Sequence, residues 1–168
     1  ADGKLPPLTP EGQQRAAALG AGGERGADSW QDRSLWERCL TRGGLPRIPG
    51  SYNNNVQIFQ GPEYVVILYE MIHEARIIPT DGRPHVDPHI RQWLGDSRGR
   101  WEGQTLVVQT TNFSPKPDFQ GSRENLHLVE RWTRLDANTI EYTVTLEDPT
   151  VWTKPWTFKQ EMKKQSEQ

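Results

Sequence analysis

A chain of 168 residues has room for one domain with a proper core and little room for a second. Its hydrophobic share is 33%, its mean hydropathy −0.82 and its formal net charge −2, with no run of like charge, which argues against a nucleic-acid binder built on a basic stripe. The longest apolar run, Tyr64 to Tyr69, is strand-sized and far short of the roughly 18 residues a helical membrane span needs.

The chain opens at Ala1-Asp2-Gly3 without an initiator Met, which fits a mature protein after loss of a signal peptide or equally a sequence trimmed at a chosen boundary; export, periplasmic or secreted, is the expectation. Residues 1–50 hold nine of the fifteen Gly and little β-branched sequence, so they read as a flexible and helical lead-in to a domain over 51–168. Thr9-Pro10-Glu11 predicts a helix start, with Thr9 as N-cap and Pro10 in the first turn. Gly20 is expected to end that helix, and Gly20 to Gly26 to be mobile. Ser34 and Glu37 form a capping-box pattern, predicting a short helix that ends at Gly43-Gly44 and packs Trp36 and Leu40 onto the domain. Cys39 is alone, so no internal disulfide forms and no zinc spacing is met.

From Val56 the hydrophobic period changes to two. Strands are predicted over 56–60, 64–71 and 74–79, the first two joined by Gly61-Pro62-Glu63. A Pro-, His- and Asp-rich connection then runs to about Gln92. Strands over 98–102 and 105–113 turn at Gly103-Gln104, and those over 126–135 and 139–147 turn at Asp136-Ala137-Asn138. A last strand covers 156–162. The fold class is therefore mainly β: about eight antiparallel strands in meander order, the number at which a closed barrel encloses a packed core or one small ligand. In 139–147 one face is wet and the other dry. In 126–134, Leu126, Leu128, Glu130 and Trp132 share one side and His127, Val129, Arg131 and Thr133 the other, so both faces mix charge with bulk. Such a strand suits a pocket wall with a few polar anchors better than a dry core.

Five segments stand out: 93–108 (WLGDSRGRWEGQTLVV), 124–132 (ENLHLVERW), 148–156 (DPTVWTKPW), Tyr52-Asn53-Asn54-Asn55, and 78–85 (IPTDGRPH). Together they resemble a family of exported bacterial proteins of unassigned function, over roughly residues 33–158. The resemblance implies a small lipocalin-like β-barrel and carries no reaction, ligand or catalytic residue with it.

The candidate site residues therefore rest on chemistry alone. His127 and Arg131 share a strand face and could serve as general base and anion anchor, unless Arg131 pairs with an acidic residue across the strands outside. His73 is a second candidate base, and Arg131, Arg76 or Asp96 are the candidate partners of either. Asp96 and Arg98 are expected to pair and fix a loop, leaving Asp96 able to orient a substrate or a His. Tyr69, Trp101, Trp132, Trp152 and Trp156 exceed what a small barrel needs to close. Tyr69, Trp101, Trp132 and Trp156, with Arg76 and Glu130, are candidate ligand contacts. A metal site contributed by His73, His85, His89 or His127 is the lesser reading beside loop histidines in solvent and a strand His satisfied by a neighbour, so no metal is expected, and no cofactor. Gly95, Gly99 and Gly103 recur every four residues without the Lys-Ser/Thr of a phosphate loop.

Two functions follow as expectations. The first is binding of a small apolar or aromatic molecule in a barrel cavity. The second is a cofactor-independent acid/base enzyme (a lyase, isomerase or hydrolase) working on such a molecule there. A third, an interaction module with aromatics at a protein interface, ranks below both. The expected partner is a small molecule, not nucleic acid, and no membrane span is expected.

Overall fold

The computed structural model describes residues 4–22 and 27–165 of the chain. One helix, α1 (Pro10–Gly22), precedes eight strands: β1 (Val56–Gln60), β2 (Tyr64–Tyr69), β3 (Ala75–Pro79), β4 (Asp96–Glu102), β5 (Thr105–Thr111), β6 (His127–Arg134), β7 (Thr139–Glu147) and β8 (Trp156–Lys163). Every expected strand is present, with ends that differ by a residue or two. β2 stops at Tyr69 because the chain turns at once through Ile72 and His73, both at positive φ (61° and 53°).

Among the described residues every pairing between strands is antiparallel, but the ladder does not close. β1-β2-β3 form one sheet and β4 to β8, in chain order, another. The expected closed barrel is corrected to two sheets. At the β3–β4 seam they meet through side chains: a Cβ on Gly99 would stand 2.9 Å from Ile78 and 3.0 Å from Thr80, so only glycine permits this approach. At the other seam, β1 pairs with β2 alone and β8 with β7 alone. The register puts Val65, Ile67, Tyr69 and Ile78 of the first sheet, and Leu106, Val108, Leu128, Trp132, Tyr142, Val144 and Leu146 of the second, into one buried cluster. The outer face of the small sheet keeps Phe59 and Ile77 exposed.

α1 begins as expected: the amide of Gly12 donates to Thr9 Oγ1 at 3.0 Å, and Thr9 N–H donates to Val151 O at 2.9 Å. Gly12 lies so near Val151 that a Cβ would meet its carbonyl oxygen at 2.5 Å. The helix runs two residues past Gly20; of the stretch expected to be mobile, residues 23–26 lie outside the described residues, as does the opening Ala1-Asp2-Gly3. The second expected helix is a correction. Ser34 and Glu37 do exchange their capping bonds, at 2.9 and 3.2 Å, but Cys39 at φ 54° ends the turn at once. Trp36 and Leu40 are consequently 40% and 44% exposed rather than packed on the sheets. From the same lead-in, Leu45 is fully buried and belongs to the core cluster.

Candidate functional site

The inner faces of the two sheets carry one buried polar cluster. Arg76 of β3 meets Glu130 of β6 as a two-pronged ion pair: Nη1 donates to Oε1 at 2.9 Å and Nη2 to Oε2 at 2.5 Å. The two side chains are 2% and 1% exposed. Arg76 also donates from Nε to Ser97 Oγ at 2.9 Å and from Nη2 to Thr110 Oγ1 at 2.6 Å, while Tyr142 donates its hydroxyl to Glu130 Oε1 at 2.8 Å. A buried pair with this many bonds is chemically quiet, since the two charges meet each other and the hydroxyls of Ser97, Thr110 and Tyr142 add three further bonds. Burial, then the Glu130 carboxylate, holds the Tyr142 phenol well above its ordinary pKa of 10.0. Tyr69 is raised too, chiefly by burial.

Two cavities open beside this cluster, and Trp132 lines both. The larger, about 680 Å³, is walled by Ile58, Val65, Ile67, Trp101, Leu106, Trp132 and Ile140. Gln60, Gln104, Arg134 and Asp136 supply its polar groups. The smaller, about 200 Å³, has Tyr69, Tyr142 and Trp132 as aromatic wall, with Arg42, Arg47, Asn53, Asn54 and Asn55 among its polar lining. Trp132 packs on Tyr142 at a ring separation of 4.3 Å, and its indole N–H is buried without an acceptor. Arg47 pairs with Glu74 and lies over the Tyr69 ring at 5.5 Å. Its pKa is lowered, first by burial and then by the like charges of Arg42 and Arg76.

The structure separates the residues expected to work as acid and base. His127 and Arg131 lie on the outer face of β6. Arg131 Nη2 donates to the exposed Glu102 at 2.8 Å, and His127 lies 3.7 Å from Glu147. His73 is exposed in the turn after β2. Asp96 is buried, with Oδ1 accepting from Arg98 Nη1 at 2.6 Å and Oδ2 facing His85 Nδ1 at 2.8 Å, so it does orient a His. His85 lines neither cavity. Because Val86 N–H and Arg98 bind the same carboxylate, and Arg98 Nε reaches Pro84 O, this group ties down the connection between β3 and β4. Among the described residues no three His, Cys, Asp or Glu gather as a metal site.

The expected ligand contacts divide. Trp101, Trp132 and Tyr69 line cavities. Arg76 and Glu130 are spent on each other behind them. Trp156 packs edge-on against Trp152 at 5.5 Å, beside the core and in neither cavity lining. Tyr142, Arg42 and Arg47 were not singled out by the sequence. Tyr142 reads there as one more apolar residue on the dry face of its strand, and the two arginines sit in a lead-in with no period to read. Asn54 bonds Gly50 through both of its amide atoms, as a turn residue satisfying local backbone, and still lines the smaller cavity.

In comparisons with known proteins, no family model, no curated protein and no solved structure matches the chain.

Proposed function

We propose that the protein binds a small apolar or aromatic molecule in the larger cavity between its two sheets. The observation that carries this reading is the cavity itself: about 680 Å³, within the roughly 300–1,000 Å³ range of small-molecule sites, walled by aliphatic side chains and two indoles with polar groups among them. Flat rings such as Trp101 and Trp132 suit a flat ligand. Trp101 is half exposed, a large apolar surface left toward water that a ligand would cover. Action outside the cytoplasm is part of the same proposal and rests on the sequence resemblance alone, to which the comparisons add nothing. A pocket of this kind, read with the dispersal of His127, Arg131, His73 and Asp96 over separate places, favours carriage over acid/base chemistry.

Native mass spectrometry of gently purified protein, set against its denatured mass, tests the reading. An excess mass that vanishes on denaturation and is lost in Trp101→Ala is the expected result. Trp101 is exposed enough for that variant to keep its fold. In a second arm Nile red, an apolar fluorescent probe, is expected to bind the wild type and to bind Trp101→Ala about tenfold more weakly. No excess mass, together with Nile red binding that is absent or indifferent to Trp101→Ala, would overturn the proposal.

A further inference from the structure

The larger cavity is polar at one end only. Along the β1–β2 pair, Gln60 stands opposite Val65, Ile58 opposite Ile67, and Val56 opposite Tyr69. The first two of these rungs line the larger cavity and the third lines the smaller one, with about 7 Å between successive rungs. The second sheet repeats the order. Arg134 faces Ile140 beside the β6–β7 turn, and Trp132 faces Tyr142 one rung further in. Gln60, Trp101, Gln104 and Arg134 are exposed at the turn end, which makes that end the mouth. Trp132 stands at the inner end, where the smaller cavity begins. The polar lining is confined to the mouth: Gln60 and Arg134 close their strands, and Gln104 and Asp136 lie in turns.

The chemistry of the mouth limits the group that sits there. Arg134 and Asp136 are the charged side chains of the lining, one of each sign, and one turn holds both. Arg134 Nε donates to Asp136 O at 3.1 Å, and Asp136 Oδ1 accepts from Asn138 N–H at 2.7 Å. A cationic head is repelled by Arg134 and an anionic head by Asp136, so a net charge of either sign gains from one and loses to the other. The carboxamides of Gln60 and Gln104 act differently. Among the described residues neither bonds to the protein, and each offers N–H donors and a carbonyl acceptor at once. A hydroxyl or an amide both donates and accepts, and loses its water far more cheaply than a charged group does.

We propose, resting on the ligand reading of this cavity, that it takes an uncharged amphiphile head-outward. A flat apolar body lies between the sheets as far as Trp132, and one hydroxyl or amide group lies on Gln60 and Gln104 at the mouth.

Equilibrium dialysis of the full chain against four naphthalenes, alike in ring position and in a one-carbon substituent, tests it: naphthylmethanol, methylnaphthalene, naphthoate and naphthylmethylammonium. Naphthylmethanol is expected to bind tightest, with each of the other three weaker by about tenfold. The double variant Gln60→Met/Gln104→Met keeps side-chain length at the mouth and removes both carboxamides. Both side chains are exposed and hold no bond of the fold, so near-UV circular dichroism should stay as in the wild type. In that variant naphthylmethanol is expected to fall to the level of methylnaphthalene, whose own affinity stays the same. Methylnaphthalene binding as tightly as the alcohol, either charged compound binding more tightly, or a double variant with the wild-type preference would overturn the proposal and leave the cavity's ligand reading standing. Binding by none of the four also overturns it, and if Nile red is then unbound as well, the ligand reading falls with it.

Discussion

At the scale of single residues, the pair Arg76–Glu130 is the most consequential contact in the core. Removing one partner leaves a buried charge with nothing opposite it. Arg76→Met or Glu130→Leu alone is therefore expected to cost about 3–5 kcal/mol, read as a fall in the urea midpoint. The double variant, which puts apolar groups of similar reach in both places, should recover much of that loss. If the double variant is as unstable as the sum of the singles, the pair is not acting as a unit. The sequence showed part of this. Glu130 on a strand face with Leu128 and Trp132 was visibly out of place, and a charge so placed needs a partner. Which partner was not legible, because Arg76 lies 54 residues away and only the meeting of two sheets brings the two together.

Among the elements, β1 and β6 are opposites. β6 is paired on both sides, to β5 and β7, and its Leu128, Glu130 and Trp132 are buried. β1 is paired on one side only, and four of its five residues are exposed. Hydrogen–deuterium exchange read by mass spectrometry should find β1 amides exchanging well before those of β5, β6 and β7, whose protection should approach that of global unfolding. Equal protection of β1 and β6 would mean that β1 gains a second partner in solution. Period-two alternation and turn residues located all eight strands, because those signals are local. The short helix after Ser34 failed for a local reason too. A capping box starts a turn, but a single turn needs packing to propagate, and here Trp36 and Leu40 find none.

For the molecule as a whole, eight strands in meander order suggested closure, and the counting was sound. Whether the last edge meets the first depends on seams between distant segments, such as the one where Gly99 receives Ile78 and Thr80, and no period in the sequence records those. Tyr69 and Tyr142 are both buried in the core between the two sheets, which ties global stability to alkaline pH. Both phenols hold their protons more tightly in the folded state than in the unfolded state. Below the ordinary value of 10.0 the native state keeps its full advantage; as pH rises past it, the unfolded chain sheds protons that the folded chain retains, and stability falls. Urea midpoints should accordingly drop as pH climbs through that value, with the tyrosinate absorbance of these two residues appearing together with unfolding. Ionisation of all four Tyr before the fold is lost would contradict the burial of this pair. Trp132 stands in the wall of both cavities, and so one indole is a reporter for two compartments. A ligand that turns or polarises that ring from one side changes the surface offered on the other. By thermodynamic linkage any such effect is reciprocal: whatever factor the first occupant imposes on the second, the second imposes on the first.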